Sequence, residues 1–304
     1  MVVTHGSLRS ARSRTTLTIG SFDGVHRGHR ALIERVVAKG GELGVSSCVL
    51  TFEPHPREFF AGDAAPPRLT RLHDKLELLA AAEVERVHLI RFDARFAAMS
   101  AAHFIEDVLV RGLSVAWLLV GRDFRFGAKR QGDFATLERA ARRHGFALEA
   151  MPDVSFDGER VSSSTVRAAL AAGDFARAER LLGRPYTISG KVGRGARLGR
   201  ELGFPTANIA LAQRPPLAGI YVVEVENFGR GVASVGRRPT VNPVAKPLLE
   251  VHLFDWDGEL YGRRLRVRFL RKLRDEAKFD DLERLREAIA RDAAEAREYF
   301  ARHG

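Results

Sequence analysis

Two histidines, His26 and His29, stand in "GSFDGVHRGHRALI" (20–33), between an apolar run and a helical one. A helix N-terminus offers unpaired N–H groups and a partial positive charge, so it attracts phosphate. Gly24 and Gly28 let a ligand approach the backbone closely. Imidazoles donate hydrogen bonds to phosphoryl oxygens and carry charge when protonated. Such a pair suits nucleotidyl transfer, which needs in-line positioning and charge stabilisation rather than a strong base. A surface turn accounts for His-x-Gly-His equally well. A zinc pair is a third reading, although no further ligand lies close in sequence.

Three more segments share this chemistry. "TFEPHPREFF" (51–60) and "VGRDFRFGAKRQGD" (120–133) each close a predicted strand. "VSSSTVRAAL" (161–170) puts hydroxyls and Arg167 at a predicted helix start, a good place to hold pyrophosphate. "GRDFRFGAKR" resembles a P-loop, but its glycines are too far apart and no Lys-Ser/Thr follows.

The second half offers different groups. In "LGFPTANI" (202–209) Thr206 and Asn208 share one face of an extended segment. Their oxygens are hard ligands suited to Mg²⁺ beside substrate phosphates. A proline turn with an Asx bond is the alternative. Glu250 alternates with Leu249 and Val251 in "LLEVHLF", so it points away from their face. There a carboxylate can accept a hydroxyl proton during phosphoryl transfer. A solvated strand residue is the alternative. "GRGARLG" (193–199) has the wrong spacing for a dinucleotide fingerprint, and β structure is expected around it.

These groups need a frame. Strand-like "TLTIG", "SSCVLTF", "RVHLIRF", "VAWLLVG" and "FALEAMP" alternate with segments of helical spacing, "HRALIERVVAKGGELG", "RLHDKLELLAAAEV", "AAHFIEDVLVRGL" and "DFATLERAARRHG". Alternation predicts an α/β domain with a doubly wound parallel sheet, and ligands at the carboxyl ends of its strands. "STVRAALAAGDFARAERLLG" reads as one helical segment ending at Gly183, where the domain boundary is placed: 1–183 and 184–304. Beyond it the pattern is β. "AGIYVVEVENFGRGVASVG" predicts two strands. "LLEVHLFDWDGELYGRRLRVRFL" predicts two more, joined through "DWDGE" with Asp257-Gly258 as the turn. Several short strands predict a small barrel or sandwich. A terminal helix follows, with Asp280 as cap and Leu282, Leu285, Ile289 and Ala293 as its apolar stripe.

The 304 residues fit about two domains of ~150 residues each. One cysteine, Cys48, excludes an intramolecular disulfide and a cysteine-rich zinc site, and makes a reducing, cytoplasmic setting the default. No apolar run approaches the ~18 residues of a membrane span. The first sixteen residues carry Arg9, Arg12 and Arg14 and no acid, which predicts a disordered basic leader. A net charge of +11 predicts anionic partners, and nucleic acid, anionic lipid and nucleotide phosphates all fit. An RNA-binding protein would show its motifs and an aromatic stacking platform, and neither is evident.

Together these segments resemble the bacterial bifunctional riboflavin kinase/FAD synthetase family. Its Gly-x-Phe-Asp-Gly-Val-His-x-Gly-His stands at 20–29, its Thr-Phe-x-Pro-His-Pro at 51–56 and its Gly-x-Asp-Phe-x-Phe-Gly at 121–127. Its Ser-Ser-Thr-x-Ile-Arg appears at 162–167 with Ser164 and Val166 as conservative changes. "SGKVGRGARLGRELGFPTANI", "GIYVV", "SVGRRPTV", "LEVHLFDWDGELYG" and "LRDEAKFDDLERL" match the kinase module in order, so the likeness covers nearly all of 15–300. The resemblance implies a nucleotidyltransferase domain followed by a small antiparallel β-barrel with a terminal helix. It implies FMN formation from riboflavin and ATP, then FAD and pyrophosphate from FMN and ATP, both with Mg²⁺. It makes His26, His29 and Arg167 catalytic in the first domain, with Gly20, Phe22, Asp23, Gly24, Gly28, Ser163 and Ser164 around the nucleotide. It makes Glu250 the kinase base, Thr206 and Asn208 metal ligands, and Gly190 and Gly195 part of the nucleotide loop. His55, Pro56, Asp123 and Phe124, and in the kinase Arg274 and Phe279, are its flavin-binding positions. Riboflavin, FMN and ATP are the implied partners, with neither nucleic acid nor membrane, and the oligomeric state stays open. Ser234 replaces a frequent asparagine, and "GRGARLGR" is an irregular loop, which leaves the adenine contacts open. A single-activity nucleotidyltransferase with a non-catalytic second domain is the rival reading.

Overall fold

The computed structural model describes residues 1–6, 13–195, 199, 202–236 and 247–303. The chain forms two compact units, Met1–Pro66 with Lys75–Ser162, and Pro67–Asp74 with Ser163–Gly304.

The first unit is built on a six-stranded parallel sheet in the order β1-β4-β3-β2-β5-β6. Its strands are β1 (Val2–His5), β2 (Thr15–Ile19), β3 (Ser46–Glu53), β4 (Arg86–Arg91), β5 (Val115–Gly121) and β6 (Ala147–Met151). A short hairpin, β7 (Ser155–Phe156) and β8 (Glu159–Arg160), follows. The helical segments are α1 (Arg27–Leu43), α2 (Pro56–Ala61), α3 (Leu72–Ala81), α4 (Ala94–Ala97), α5 (Ala101–His103) running into a π-helical stretch (Phe104–Gly112), and α6 (Phe134–His144). Strand residues alternate between two cores. Leu17, Ile19, Cys48, Leu50, Leu118 and Val120 pack with Phe104, Leu109 and Leu137. Val49 and Val87 pack on the other side with Ile33 and Leu79. Both faces are thus covered, so the central strands are buried on both sides, and Thr15, Thr16, Thr18, Ser47 and Thr51 are buried along with the apolar residues. The leader is not disordered over its first residues: Val2–His5 form edge strand β1, parallel to β4. The remainder of that expectation, 7–12, lies outside the described residues.

The order of the sheet fixes where a ligand can sit. From β2 the chain winds outward through β3 and β4, then returns to β5 on the other side of β2. The carboxyl ends of β2 and β5 therefore flank the switch point, where such sheets bind ligands.

The second unit contains α7 (Ser163–Ala171), α8 (Phe175–Leu182), six barrel strands and α9 (Leu282–His303). The stretch expected as one helix up to Gly183 is two. Gly173 takes a left-handed φ of 74° and ends α7, and the Asp174 carboxylate accepts from Arg177 N–H to start α8. Phe175 of α8 meets Tyr221 edge-on at 5.9 Å. β9 (Thr187–Gly193), β10 (Ala207–Ala210), β11 (Gly219–Val225), β12 (Gly229–Gly236), β13 (Leu248–Leu253) and β14 (Arg264–Arg274) close into a barrel, β10-β13-β12-β11-β14-β9. Tyr221, Val223, Leu249, Val251, Leu265, Val267 and Phe269 alternate inward and are buried. The hairpin expected at Asp257-Gly258 does not form. β13 pairs with β10 and β12, and β14 with β11 and β9, because closure gives each strand two other neighbours. α9 lies on the outer face, where Ala293, Ala296 and Phe300 pack with Val222, Val232 and Phe254. Its cap is Asp281, whose Oδ1 accepts from Arg284 N–H at 2.7 Å, rather than Asp280. Leu282 is exposed, so the apolar stripe begins at Leu285.

Candidate active sites

The first site grows from the end of β2. Gly20 N–H donates to the Leu50 carbonyl at 3.1 Å, and the next turn is tightly wound. Phe22, Gly24 and Val25 have φ of 48°, 91° and 40°. Only glycine adopts such values freely, so Phe22 and Val25 are strained residues held by burial. The turn delivers His26 to the N-cap of α1, where its Nδ1 accepts from His29 N–H at 3.3 Å. The two imidazoles stack with centroids 3.6 Å apart, and Phe22 closes on His29 at 5.1 Å. A Cβ on Gly28 would lie 3.3 Å from the His26 ring. Gly28 therefore makes room for the His26 ring. Asp23 is buried beneath the turn.

His29 is half-buried, but its Nδ1 is fully enclosed with no hydrogen-bond partner among the described residues. Burial holds its pKa well below the usual 6.5, and positive charge on His26, Lys75 and His55 lowers it further. The neutral form of His29 is thus favoured, and the charged form considered from sequence is disfavoured. The unfolded chain takes up a proton near pH 6.5 where the folded one does not, so stability is lost as pH falls below that value. Going from about pH 7.5 to about 5.5 should lower the urea midpoint, and by less in His29→Gln. Equal falls in both proteins would assign the dependence to another group.

His55 and Pro56 stand beyond β3 as the N-cap and first residue of α2, and His55 N–H donates to Glu58 Oε2 at 3.0 Å. The His55 ring is buried and reaches Lys75 Nζ at 3.4 Å. Asp123 and Phe124 form the turn after β5, closed by Phe124 N–H to the Gly121 carbonyl at 3.1 Å. Phe124 stacks on Phe126 at 5.7 Å. Ser163, Ser164 and Arg167 belong to the second unit, in the first turns of α7, where Arg167 Nε donates to the Pro67 carbonyl at 2.6 Å.

The second site lies on the outer face of the barrel. Register places Asn208 opposite Glu250, and Glu250 opposite Ser234, so three polar side chains form one row across β10, β13 and β12. Ile220 and Arg274 continue that row. Thr206 stands just before β10, with Asn208 Nδ2 donating to its carbonyl at 3.1 Å. Asn208 Oδ1 is buried without a partner among the described residues. A Cβ on Gly195 would lie 2.6 Å from the Asn208 amide, and one on Gly199 would lie 3.2 Å from Thr206 Oγ1. The loop backbone therefore passes directly over both proposed ligands, which only glycine permits. Gly190 faces Ile209 and Arg71 instead, a close-packing position inside the barrel. Loop residues 196–198 and 200, and 237–241 of "SVGRRPTV", lie outside the described residues.

Thr206, Ser234, Glu250, Arg274 and Phe279 line one cleft of about 880 Å³, part of it open to solvent, with Leu285 and Ile289 of α9 as its apolar wall. Arg274 is held by two hydrogen bonds to buried Asp292, at 2.8 and 2.7 Å, and its guanidinium lies 5.8 Å from the Phe279 ring. Partial burial, and then the charge of Glu250, raise the Glu276 pKa, while Arg274 opposes the rise.

Two sites of this kind in one chain have a known counterpart. A FAD synthetase model matches residues 8–165 and a riboflavin kinase model matches residues 182–300. The chain belongs to the bifunctional riboflavin kinase/FMN adenylyltransferase family. Proteins of that name from Escherichia coli K12 and Pseudomonas fluorescens are 47% and 50% identical to it. The first match covers 97% of this chain and 96% of the relative, the second 96% and 94%. A solved structure named as a macrolide-efflux protein from Streptococcus pneumoniae superposes with a TM-score of 0.77 at 26% identity, covering 96% of this chain and 97% of that one. Among the described residues no helix is long and apolar enough to cross a membrane. The kinase match removes the rival reading of a non-catalytic second domain.

Several residues beside these sites carry no motif. A run of rings leads from Phe124 through Phe126, Phe104, Phe96 and Phe92 to Phe59 and Phe60, with neighbouring centroids 5.2–6.2 Å apart. Phe60 is 70% exposed at its end, a rare position for so large an apolar side chain. The available signal was two adjacent phenylalanines just after a polar motif. In the kinase cleft, His252, Glu276 and Asp292 were missed. Asp292 lies in an amphipathic helix, where an acid reads as solvated.

Proposed function

We propose that the family's two reactions are divided between these two sites. In the barrel cleft Glu250 takes the proton of the riboflavin hydroxyl as its oxygen attacks the γ-phosphate of ATP, and ADP leaves. The supporting observation is the Asn208–Glu250–Ser234 row, with Asn208 Oδ1 buried and without a partner among the described residues. Oxygen donors at Asn208 and Thr206, under a glycine backbone, fit Mg²⁺ better than a soft metal. Thr206 and Asn208 would hold the ion, which supplies neutralisation of the phosphate charge. Arg274, fixed by Asp292, and Phe279 form one end of the flavin pocket, and Leu285 and Ile289 supply apolar surface for the ring.

In the first unit His26 and His29 donate to the ATP α-phosphate while an FMN phosphate oxygen attacks it. The bond to the departing pyrophosphate breaks, and the nucleotide backbone rests on the 20–28 turn. His55, Pro56, Asp123 and Phe124, with the aromatic run, form the FMN side. The family resemblance gives Arg167, Ser163 and Ser164, in the first turns of α7 of the second unit, the role of holding pyrophosphate. The functional boundary is put near Gly183, one residue past the start of the riboflavin kinase match at 182, while the FAD synthetase match ends at 165. Cytoplasmic ATP, riboflavin and FMN are the substrates, and the positive charge of the chain serves the phosphates of ATP and FMN rather than nucleic acid.

Purified protein given riboflavin, ATP and Mg²⁺ should form FMN first and FAD second, resolved by chromatography. EDTA should stop both steps and Mg²⁺ restore them. Full turnover in EDTA, or rescue by Zn²⁺ alone, would refute the metal assignment.

A further inference from the structure

Thr206 stands just outside the strand ladder of the barrel. β10 begins at Ala207, so strand pairing starts only after it. Pro205, before it, has no N–H to give. The Pro205 carbonyl is held by a side chain instead, His252 of β13, whose Nδ1 lies 2.9 Å away. A carbonyl oxygen only accepts, so Nδ1 carries the proton and donates it. The His252 ring meets Phe204 edge-on at 5.4 Å and Phe254 at 5.8 Å. Phe254 is buried with Ala293, Ala296 and Phe300 of α9. The imidazole is thus fixed by packing, and one bond carries its position to the residue before Thr206. His252 follows Glu250 by two residues, so both side chains leave the same face of β13.

We propose that His252 is a positioning residue of the kinase step. It ties the Pro205 carbonyl to the strand that carries Glu250, and so sets where Thr206 meets the ATP phosphates and their cation. The base and the phosphate-side ligand are thereby referred to one strand. The inference rests on the reading of Thr206 as that ligand.

The test compares wild type, His252→Phe, His252→Asn and Thr206→Ala in riboflavin phosphorylation, with ATP and riboflavin varied separately at saturating Mg²⁺. His252→Phe keeps a ring and loses the donor. Its kcat/KM for ATP should fall ~10–10²-fold, since misplacing a positioning group by about 1 Å can cost ~10². Its KM for riboflavin should not change. Asparagine places an N–H the same number of bonds from the backbone, so His252→Asn should return to within about 3-fold of wild type. A second readout needs no ligand. Amide hydrogen exchange of the 202–209 segment should quicken about 5-fold in His252→Phe, as expected for one lost hydrogen bond, and slow again in His252→Asn. A scaffolding role would quicken exchange along β13 and α9 as well and would not be rescued by asparagine, and either result overturns the proposal. A rise in the riboflavin KM alone would put His252 in the flavin pocket and overturn it too. Where His252→Phe does not fold, the similar-sized pair His252→Asn and His252→Leu makes the same comparison, and equal values reject the role of the bond. If Thr206→Ala keeps the full kcat/KM for ATP, the reading of the site itself fails. If Thr206→Ala is slow and the His252 variants are not, only the role of His252 falls.

Discussion

Glu250→Gln makes no appreciable FMN from riboflavin, yet converts supplied FMN to FAD at the wild-type rate. The amide keeps the shape of the side chain and its place in the row with Asn208 and Ser234. It cannot take a proton from the riboflavin hydroxyl, and loss of general-base help costs ~10²–10⁴ in rate. The charge of Glu250 is also felt by Glu276, whose pKa it raises, so the substitution releases a like-charge repulsion and should not unfold the cleft. Adenylylation draws on His26 and His29, which belong to a unit with its own core. Residues without shared partners act nearly independently. Assays started with riboflavin and, separately, with FMN check the result. A parallel loss of FAD formation from FMN would end the two-site division.

His29→Ala gives the reverse pattern: riboflavin is phosphorylated normally and FMN accumulates. The alanine removes a neutral donor to the transferring phosphoryl group, which costs ~10²–10³ in rate. The start of α1 survives, because the bond that caps it runs from the backbone N–H of residue 29 to His26 Nδ1. What is lost locally is the stack with His26 and the contact with Phe22. Retained FMN formation shows that the second unit is folded, and a urea melt of the variant checks the first unit, which has its own core. If FMN formation stopped in a folded His29→Ala protein, both chemistries would share one site.

The parallel sheet was legible because its strands and helices carry different apolar periods, and both are local properties. The site residues of each unit were legible where function forces a rare local pattern, as in 20–29 and 202–209. Local pattern also fixed the outward direction of Glu250, since alternation along a strand allows only two faces. Other features depend on which segments meet, and no local pattern encodes that. Asp257-Gly258 has the composition of a hairpin turn, but barrel closure gives β13 and β14 other partners. The break at Gly173 is disguised by alanine-rich flanks that favour helix on both sides. Val2–His5 become a strand only because the edge of β4 accepts them. Gly28 looks like a flexible position, and only the folded turn shows that the His26 ring needs its space. Lys75 and Asp292 each lie in helices whose charged residues read as solvated. Packing decides their burial, and with it the buried ammonium beside His55 and the fixed guanidinium of Arg274.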